Sequence, residues 1–198
     1  MIAIIDYGMG NLRSVQKAFE RQDIKAIITQ NAADIAQADK VVLPGVGAMK
    51  PAIDKLKELG LADIIKEAAL KKPFLGICLG YQLLFDESKE GGQVNGLSLV
   101  KGKVELFKNL KVPQIGWNQL NIVKKDCPLF KGIDDKSNVY FCHSYYVVPE
   151  DKNIAATQTK YGVDFASSIQ KDNIFGVQFH PEKSQKVGLK ILENFSKL

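Results

Sequence analysis

A cysteine stands between two glycines in Gly76-Ile77-Cys78-Leu79-Gly80-Tyr81-Gln82. The apolar run Pro73 to Ile77 leads into it, and a helix-like run, Leu79 to Phe85, leaves it. The sulfur therefore belongs to a tight turn between a buried strand and a helix. Gly76 and Gly80 remove side chains where backbones must come close. A helix N-terminus just past the sulfur favours the thiolate. This is the cysteine form of the Gly-x-Ser-x-Gly nucleophile elbow, and the chemistry it suits is attack on a carbonyl carbon. A lone cysteine at a strand end is otherwise ordinary core, so the reading depends on partners elsewhere.

A thiolate nucleophile needs a base, and the chain holds two histidines, His143 and His180. His180 follows the apolar run Ile174 to Phe179, which places it at the carboxyl end of a strand. Sites of open α/β sheets lie at that end. Glu182 comes two positions later, and Pro181 stiffens the turn so that the acid can fold back and orient the imidazole. His143, in Cys142-His143-Ser144-Tyr145, is the rival base, but no acid lies near it in sequence. For the oxyanion, the N–H of Leu79 is one natural donor. Pro44-Gly45-Val46-Gly47 ends another strand-like run, and its two glycines let its N–H groups turn toward an oxyanion, although most such tetrapeptides are plain turns. Tyr7-Gly8-Met9-Gly10-Asn11 resembles a phosphate loop only loosely, lacking a third spaced glycine. No close pair of Cys or His ligands exists, so no metal is expected.

The elements that must position these groups alternate along the first half. Ile2 to Ile5, Lys25 to Thr29, Lys40 to Leu43 (stopping at Pro44) and Phe74 to Ile77 read as strands. Helical spacing runs through Leu12, Val15, Ala18 and Phe19, then Pro51 to Leu59, Leu61 to Leu70 and Leu79 to Phe85. The alternation predicts an α/β fold with a mostly parallel central sheet and helices on both faces. The second half is β-rich: Val100 to Phe107, Asn118 to Val123, Val139 to Val148, Ile154 to Thr159 and Phe165 to Gln170 imply antiparallel strands added at the sheet edge. Gly91 to Gly96 reads as a surface loop. Ser184 caps a final helix with Val187, Leu189, Ile191, Leu192 and Phe195 on its apolar face.

The 198 residues suit one domain over 1–198. Apolar content of 45% and charged content of 25% fit a soluble globular chain, with no membrane span. Met1 to Asp6 has no basic lead and no cleavage site, so it is not a signal peptide. Cys78, Cys127 and Cys142 are odd in number and widely spaced, which points to a reducing, cytoplasmic setting rather than disulfides. The net charge is +5, but only Arg13 and Arg21 are arginines. The scattered lysines read as solvated surface and not as a nucleic-acid patch.

Gly-Ile-Cys-Leu-Gly-Tyr-Gln with a later His-Pro-Glu resembles the class I (triad) glutamine amidotransferase domain, and the likeness covers essentially the whole chain. Ile5 to Asn11, Leu43 to Ala48, Ile115 to Asn118, His143 to Tyr145 and His180 to Ser184 look like one branch, the glutaminase subunits of imidazole glycerol phosphate synthesis. The resemblance implies that Cys78, His180 and Glu182 hydrolyse glutamine. Gly45, Val46 and Leu79 would form the oxyanion hole. Gly47, Gln82, Glu90, His143, Ser144 and Tyr145 would hold the substrate. It implies no cofactor, and a one-to-one heterodimer with a β/α-barrel cyclase that receives the ammonia. Asn11, Trp117, Asn118, Tyr140 and Lys183 match partner-facing positions, although from sequence alone Trp117 suits a core. Gln114 stands where the branch more often has histidine, and Cys142 where an aliphatic residue is usual. These departures leave open a paralogous subunit that feeds another acceptor, such as a surface-sugar enzyme.

Overall fold

The computed structural model describes all residues, 1–198. The first half alternates as expected: β1 (Ile2–Ile5), α1 (Leu12–Glu20), β2 (Ala26–Thr29), α2 (Ala32–Gln37), β3 (Lys40–Gly45), α3 (Met49–Glu58), α4 (Leu61–Lys71), β4 (Phe74–Cys78) and α5 (Leu79–Gln82). Then come β5 (Phe85–Ser88), β6 (Val94–Asn95), β7 (Val100–Leu106), β8 (Gln114–Gln119), β9 (Asn121–Ile122), β10 (Asn138–His143) and β11 (Tyr145–Pro149). The chain closes with β12 (Ala155–Tyr161), β13 (Val163–Lys171), β14 (Ile174–Val177) and α6 (Gln185–Ser196). No helix is long and apolar enough to cross a membrane.

The main sheet has eight strands in the order β2-β1-β3-β4-β14-β13-β12-β9. The first five are mutually parallel, and β13, β12 and β9 extend the sheet antiparallel from β14. Parallel strands are covered on both faces and so read as continuous apolar runs. The period of two then sorts each run. Ile5, Val41, Leu43, Phe74 and Ile174 face one core with α3 and α4. Ile4, Val42, Leu75, Phe175 and Val177 face the other with α1 and α6.

Several boundaries differ from the sequence-based expectation. The β-rich second half does not all join the edge of the main sheet. β8 and β10 form a separate antiparallel pair, and β11, β7, β5 and β6 form a four-stranded sheet. The run Val139 to Val148 breaks at Ser144, whose carbonyl turns aside to accept the Phe107 N–H. Asn118 to Val123 breaks at Leu120, which is wholly buried. The helix expected to reach Phe85 stops at Gln82, because the carbonyls of Leu83 and Leu84 accept N–H groups from Leu97, Leu99 and Val100 instead. Phe85 then pairs with Val100 in β5. The Gly91 to Gly96 loop contains β6, with Val94 buried. β3 runs through Pro44 to Gly45; its register with β1 ends at Val42, so the missing N–H falls past that ladder. α2 is an addition, and Asn31 caps it by accepting the Ala33 N–H. Ser184 precedes α6 but makes no side-chain cap; its hydroxyl is used elsewhere.

Candidate active site

Cys78 ends β4 and turns the chain into α5 at φ 55°, ψ −108°. A side-chain-bearing residue holds such a backbone only under strong local constraint. Two glycines supply the room, as their spacing predicts. A Cβ at Gly80 would lie 1.8 Å from the Leu43 carbonyl oxygen, and one at Gly76 would lie 2.8 Å from that of Gly80. The helix past the sulfur is a single turn, so its dipole is short. The sulfur has two polar contacts at 3.8 Å, the Cys142 carbonyl and Gln178 Nε2.

β14 lies beside β4 in parallel, with Val177 opposite Ile77, so the chain leaves both strands at one edge. His180 follows there, its backbone N–H donating to the Tyr140 carbonyl at 2.9 Å. A 3-10 turn over Pro181–Lys183 folds Glu182 back. Its Oε1 lies 2.8 Å from His180 Nδ1, and the two side chains are only 1% and 4% exposed. Burial pushes the imidazole down. Its contact with Cys78, its hydrogen bond to Glu182 and the charge of both outweigh that and raise it to about 10. Glu182 Oε2 is buried with no hydrogen-bond partner.

His143 has the opposite electrostatics. Its ring packs among Phe107, Phe141 and Phe165 at 5.3 to 5.6 Å. Its Nδ1 meets the Tyr145 carbonyl at 2.7 Å, and Nε2 is buried without a partner. Burial, reinforced by the charge of His180, lowers it to about 4. It is therefore neutral at pH 7, with Nδ1 carrying the proton toward a carbonyl that only accepts.

Cys78, His180 and His143 share a cavity of about 230 Å³. Val46, Gly47, Cys78, Leu79, Gln82, Glu90, Cys142, His143, Ser144, Tyr145, His180 and Lys183 all line it. A larger cleft of about 700 Å³ beside Cys127 and Pro128 holds none of the candidate catalytic, oxyanion or glutamine-binding residues. Gly45 lies beneath the cavity wall, where a Cβ would meet the Tyr7 hydroxyl at 2.2 Å. That hydroxyl is buried and unpartnered; burial and then the charge of Cys78 push the phenol well up. Gly47 takes φ 97°, and a Cβ on it would lie 3.0 Å from Met9 Cε. The Gly8 to Gly10 loop thus packs on the Gly45 to Gly47 loop, with Asn11 exposed behind it at the start of α1.

Glu90 accepts the Met49 N–H at 2.8 Å, and burial raises its carboxyl. Burial also raises the Tyr145 phenol, with the charge of Glu90 adding, so the two groups sense each other across the mouth. Gln82 is buried and spends both Nε2 hydrogens inside the protein, on the Tyr145 carbonyl and on Gln178 Oε1, each at 3.0 Å. Only its Oε1 keeps free lone pairs.

The outer face is apolar and basic. Ile115 is 62% exposed and Trp117 49%. The indole leaves the core because β8 belongs to a two-stranded ribbon. It meets Tyr140 edge-on at 6.0 Å, and Lys183 Nζ sits 5.8 Å over the Tyr140 ring. Asn118 donates to the Lys160 carbonyl at 3.0 Å. Two groups around the sulfur escaped sequence reasoning, Tyr7 and Gln178. The signal for Gln178 was a lone amide inside an apolar run.

The glutamine amidotransferase class-I family model matches residues 3–198. The chain is 51% identical, over 204 aligned residues and 98% of each chain, to imidazole glycerol phosphate synthase subunit HisH of Syntrophotalea carbinolica. It is 52% identical to the subunit of the same name from Methanocaldococcus jannaschii, over 100% of both chains. Among solved structures, one described as a glutamine amidotransferase matches at TM-score 0.77 and 16% identity over 100% of both chains. PurLQS from Thermotoga maritima matches at 0.76 and 18% over 98% of this chain and 96% of that one. At those identities the structures speak for the fold.

Proposed function

The chain belongs to the glutamine amidotransferase class-I family, and from that premise we propose that it is the glutamine-hydrolysing subunit of an imidazole glycerol phosphate synthase. The observation that carries the chemistry is the strained Cys78 sharing a cavity with His180, whose Nδ1 meets the buried Glu182. Half-identity along the full length to proteins of the HisH name supports the acceptor.

Cys78 attacks the side-chain amide carbon of glutamine. Backbone N–H groups of Val46 and Leu79, with Gly45 shaping the loop, hold the oxyanion. His180 takes the thiol proton and, raised to about 10, holds it until it leaves with ammonia. It then draws a proton from the water that cleaves the glutamyl thioester. Glu182, bonded to Nδ1, keeps Nε2 aimed at the sulfur and stabilises the imidazolium. Gln82 meets the substrate ammonium through Oε1, its N–H groups being engaged already. Gly47, Glu90 and the His143-Ser144-Tyr145 segment complete the glutamine site.

The chain works as one domain, 1–198, without cofactor and in the cytoplasm, in a one-to-one complex with a β/α-barrel cyclase. Trp117, Asn118, Tyr140, Lys183 and Asn11 form its docking face, and ammonia passes beneath it to the cyclase. Gln114 is 5% exposed, opposite His143 in the β8–β10 register. Its departure from the branch pattern is therefore buried and does not argue for a different acceptor enzyme.

The test is glutamate release from glutamine by the purified chain, alone and with a cyclase subunit holding its phosphoribulosyl ligand. Strong stimulation that is lost in Cys78→Ala supports the proposal. Cys78-dependent activity indifferent to that partner overturns the acceptor assignment and leaves the hydrolysis.

A further inference from the structure

Gln178 is wholly buried between Val177 and Phe179, two positions before His180. Its backbone N–H continues the β13 ladder by donating to the Ser167 carbonyl at 2.8 Å. An amide in such a place must satisfy both ends of its side chain. Nε2 donates to Cys78 Sγ at 3.8 Å, and Oε1 accepts from Gln82 Nε2 at 3.0 Å. The other Gln82 Nε2 hydrogen goes to the Tyr145 carbonyl, which also receives His143 Nδ1 at 2.7 Å.

The order of these bonds fixes their direction. The Tyr145 carbonyl can only accept, so Gln82 must present its NH2 group there. That same NH2 group faces Gln178, which must answer with its oxygen. Gln178 is then left with its own NH2 group toward the sulfur. One backbone carbonyl thereby sets the polarity of two amides, and the positive end of the second meets Cys78. A donor aimed at sulfur favours the charged nucleophile and limits where it can turn.

We propose that Gln178 is a positioning residue of the hydrolysis: its amide donates to the Cys78 thiolate and holds it in the cavity, and Gln82 keeps that amide from flipping. The proposal rests on Cys78 being the nucleophile. It also gives Gln82 a second duty beside meeting substrate, because its two N–H groups couple the sulfur to the Tyr145 segment of the glutamine site.

The experiment is alkylation of the full chain by iodoacetamide between pH 5 and 10, followed at Cys78, for wild type, Gln178→Met and Gln178→Glu. Methionine keeps the volume and removes the donor. Glutamate keeps an acceptor for Gln82 but turns a negative group toward sulfur. Tyr7 and His180 are electrostatically coupled to Cys78, and Glu90, Cys142, His143, Tyr145 and Lys183 line the same cavity. All are unchanged in both variants, so a moved profile reports position 178. Alkylation at neutral pH should slow about tenfold or more in Gln178→Met, and further in Gln178→Glu, with the profile shifted to higher pH. In the cyclase complex, kcat should fall while KM for glutamine stays near wild type. If Gln178→Met does not fold, Gln178→Glu and Gln82→Met carry the same readout. An unchanged profile in any folded variant of position 178 overturns the proposal. Full glutaminase activity in Cys78→Ala would instead overturn the nucleophile assignment, a result the alkylation series cannot mimic.

Discussion

His180 and Tyr140 are joined through their main chains. The His180 N–H donates to the Tyr140 carbonyl at 2.9 Å, and the Tyr140 N–H donates to Ser184 Oγ at 2.9 Å. The Ser184 hydroxyl then donates to the His180 carbonyl at 2.6 Å. Three bonds close a ring that mounts the imidazole on β10. The same strand shows the Tyr140 ring, with Trp117 and Lys183 against it, on the outer face. The serine that reads as a helix cap is thus a clamp between His180 and the outer face that carries Tyr140 and Trp117.

Ser184→Ala removes two of those bonds from a buried site. Stability should fall by about 1 to 3 kcal/mol, read from urea unfolding. Cyclase-stimulated glutamate release should fall more than the resting rate. Equal loss of both would mean that the ring serves folding alone.

The His180 proton answers to Cys78 and Glu182. An NMR titration of the imidazole should place its midpoint near 10. Cys78→Ala should lower that midpoint clearly, and Glu182→Gln should also lower it. A raised histidine stabilises the fold in its charged form. That contribution is whole below the ordinary histidine value of about 6.5 and fades as pH rises through about 10. The stability gap between wild type and His180→Gln should therefore narrow across that window. A gap constant from pH 6 to 10.5 would contradict the assigned charge.

Val46 is 42% exposed, so its side chain adds little to the core. Val46→Pro removes an N–H from the loop proposed to hold the oxyanion. Glutaminase kcat should drop on the order of 10²- to 10³-fold, with the circular dichroism spectrum retained. Undiminished turnover would place the oxyanion elsewhere.

Gly80→Ala puts a methyl group 1.8 Å from the Leu43 carbonyl, where only backbone can move. Overpacking of this kind costs about 3 kcal/mol or more. Thermal melting should show that loss, together with slower alkylation of Cys78. Wild-type stability would mean that the elbow has a slack the packing does not show.

The parallel half of the fold and the Cys78, His180 and Glu182 constellation were legible because local patterns carry them. A buried run marks each strand, paired glycines mark the elbow, and Pro181 brings Glu182 back within two residues. Long-range pairing hid the rest. Nothing local says that Leu83 and Leu84 give their carbonyls to Leu97 and Val100, which cuts α5 to one turn. The break at Ser144 sends two halves of one apolar run to different sheets, a choice made by β7 and β8. Trp117 suits a core by type, but β8 pairs in a sheet with β10 alone and leaves the indole 49% exposed. Gln178 was visible as a polar residue in a buried strand, yet its role depends on a sulfur one hundred positions away.

That hundred-residue span has a consequence for synthesis. β4 is translated long before β14, its permanent neighbour in the main sheet. Until β14 arrives, the nascent chain carries an apolar strand with an open edge and a thiol without His180. Pairing at such sequence distance is slow, and an open edge invites association. Ribosome-stalled chains released before Ile174 should therefore aggregate and hydrolyse no glutamine. Substitutions that delay the docking of β14 would show first as lost solubility, with the folded fraction keeping its turnover number.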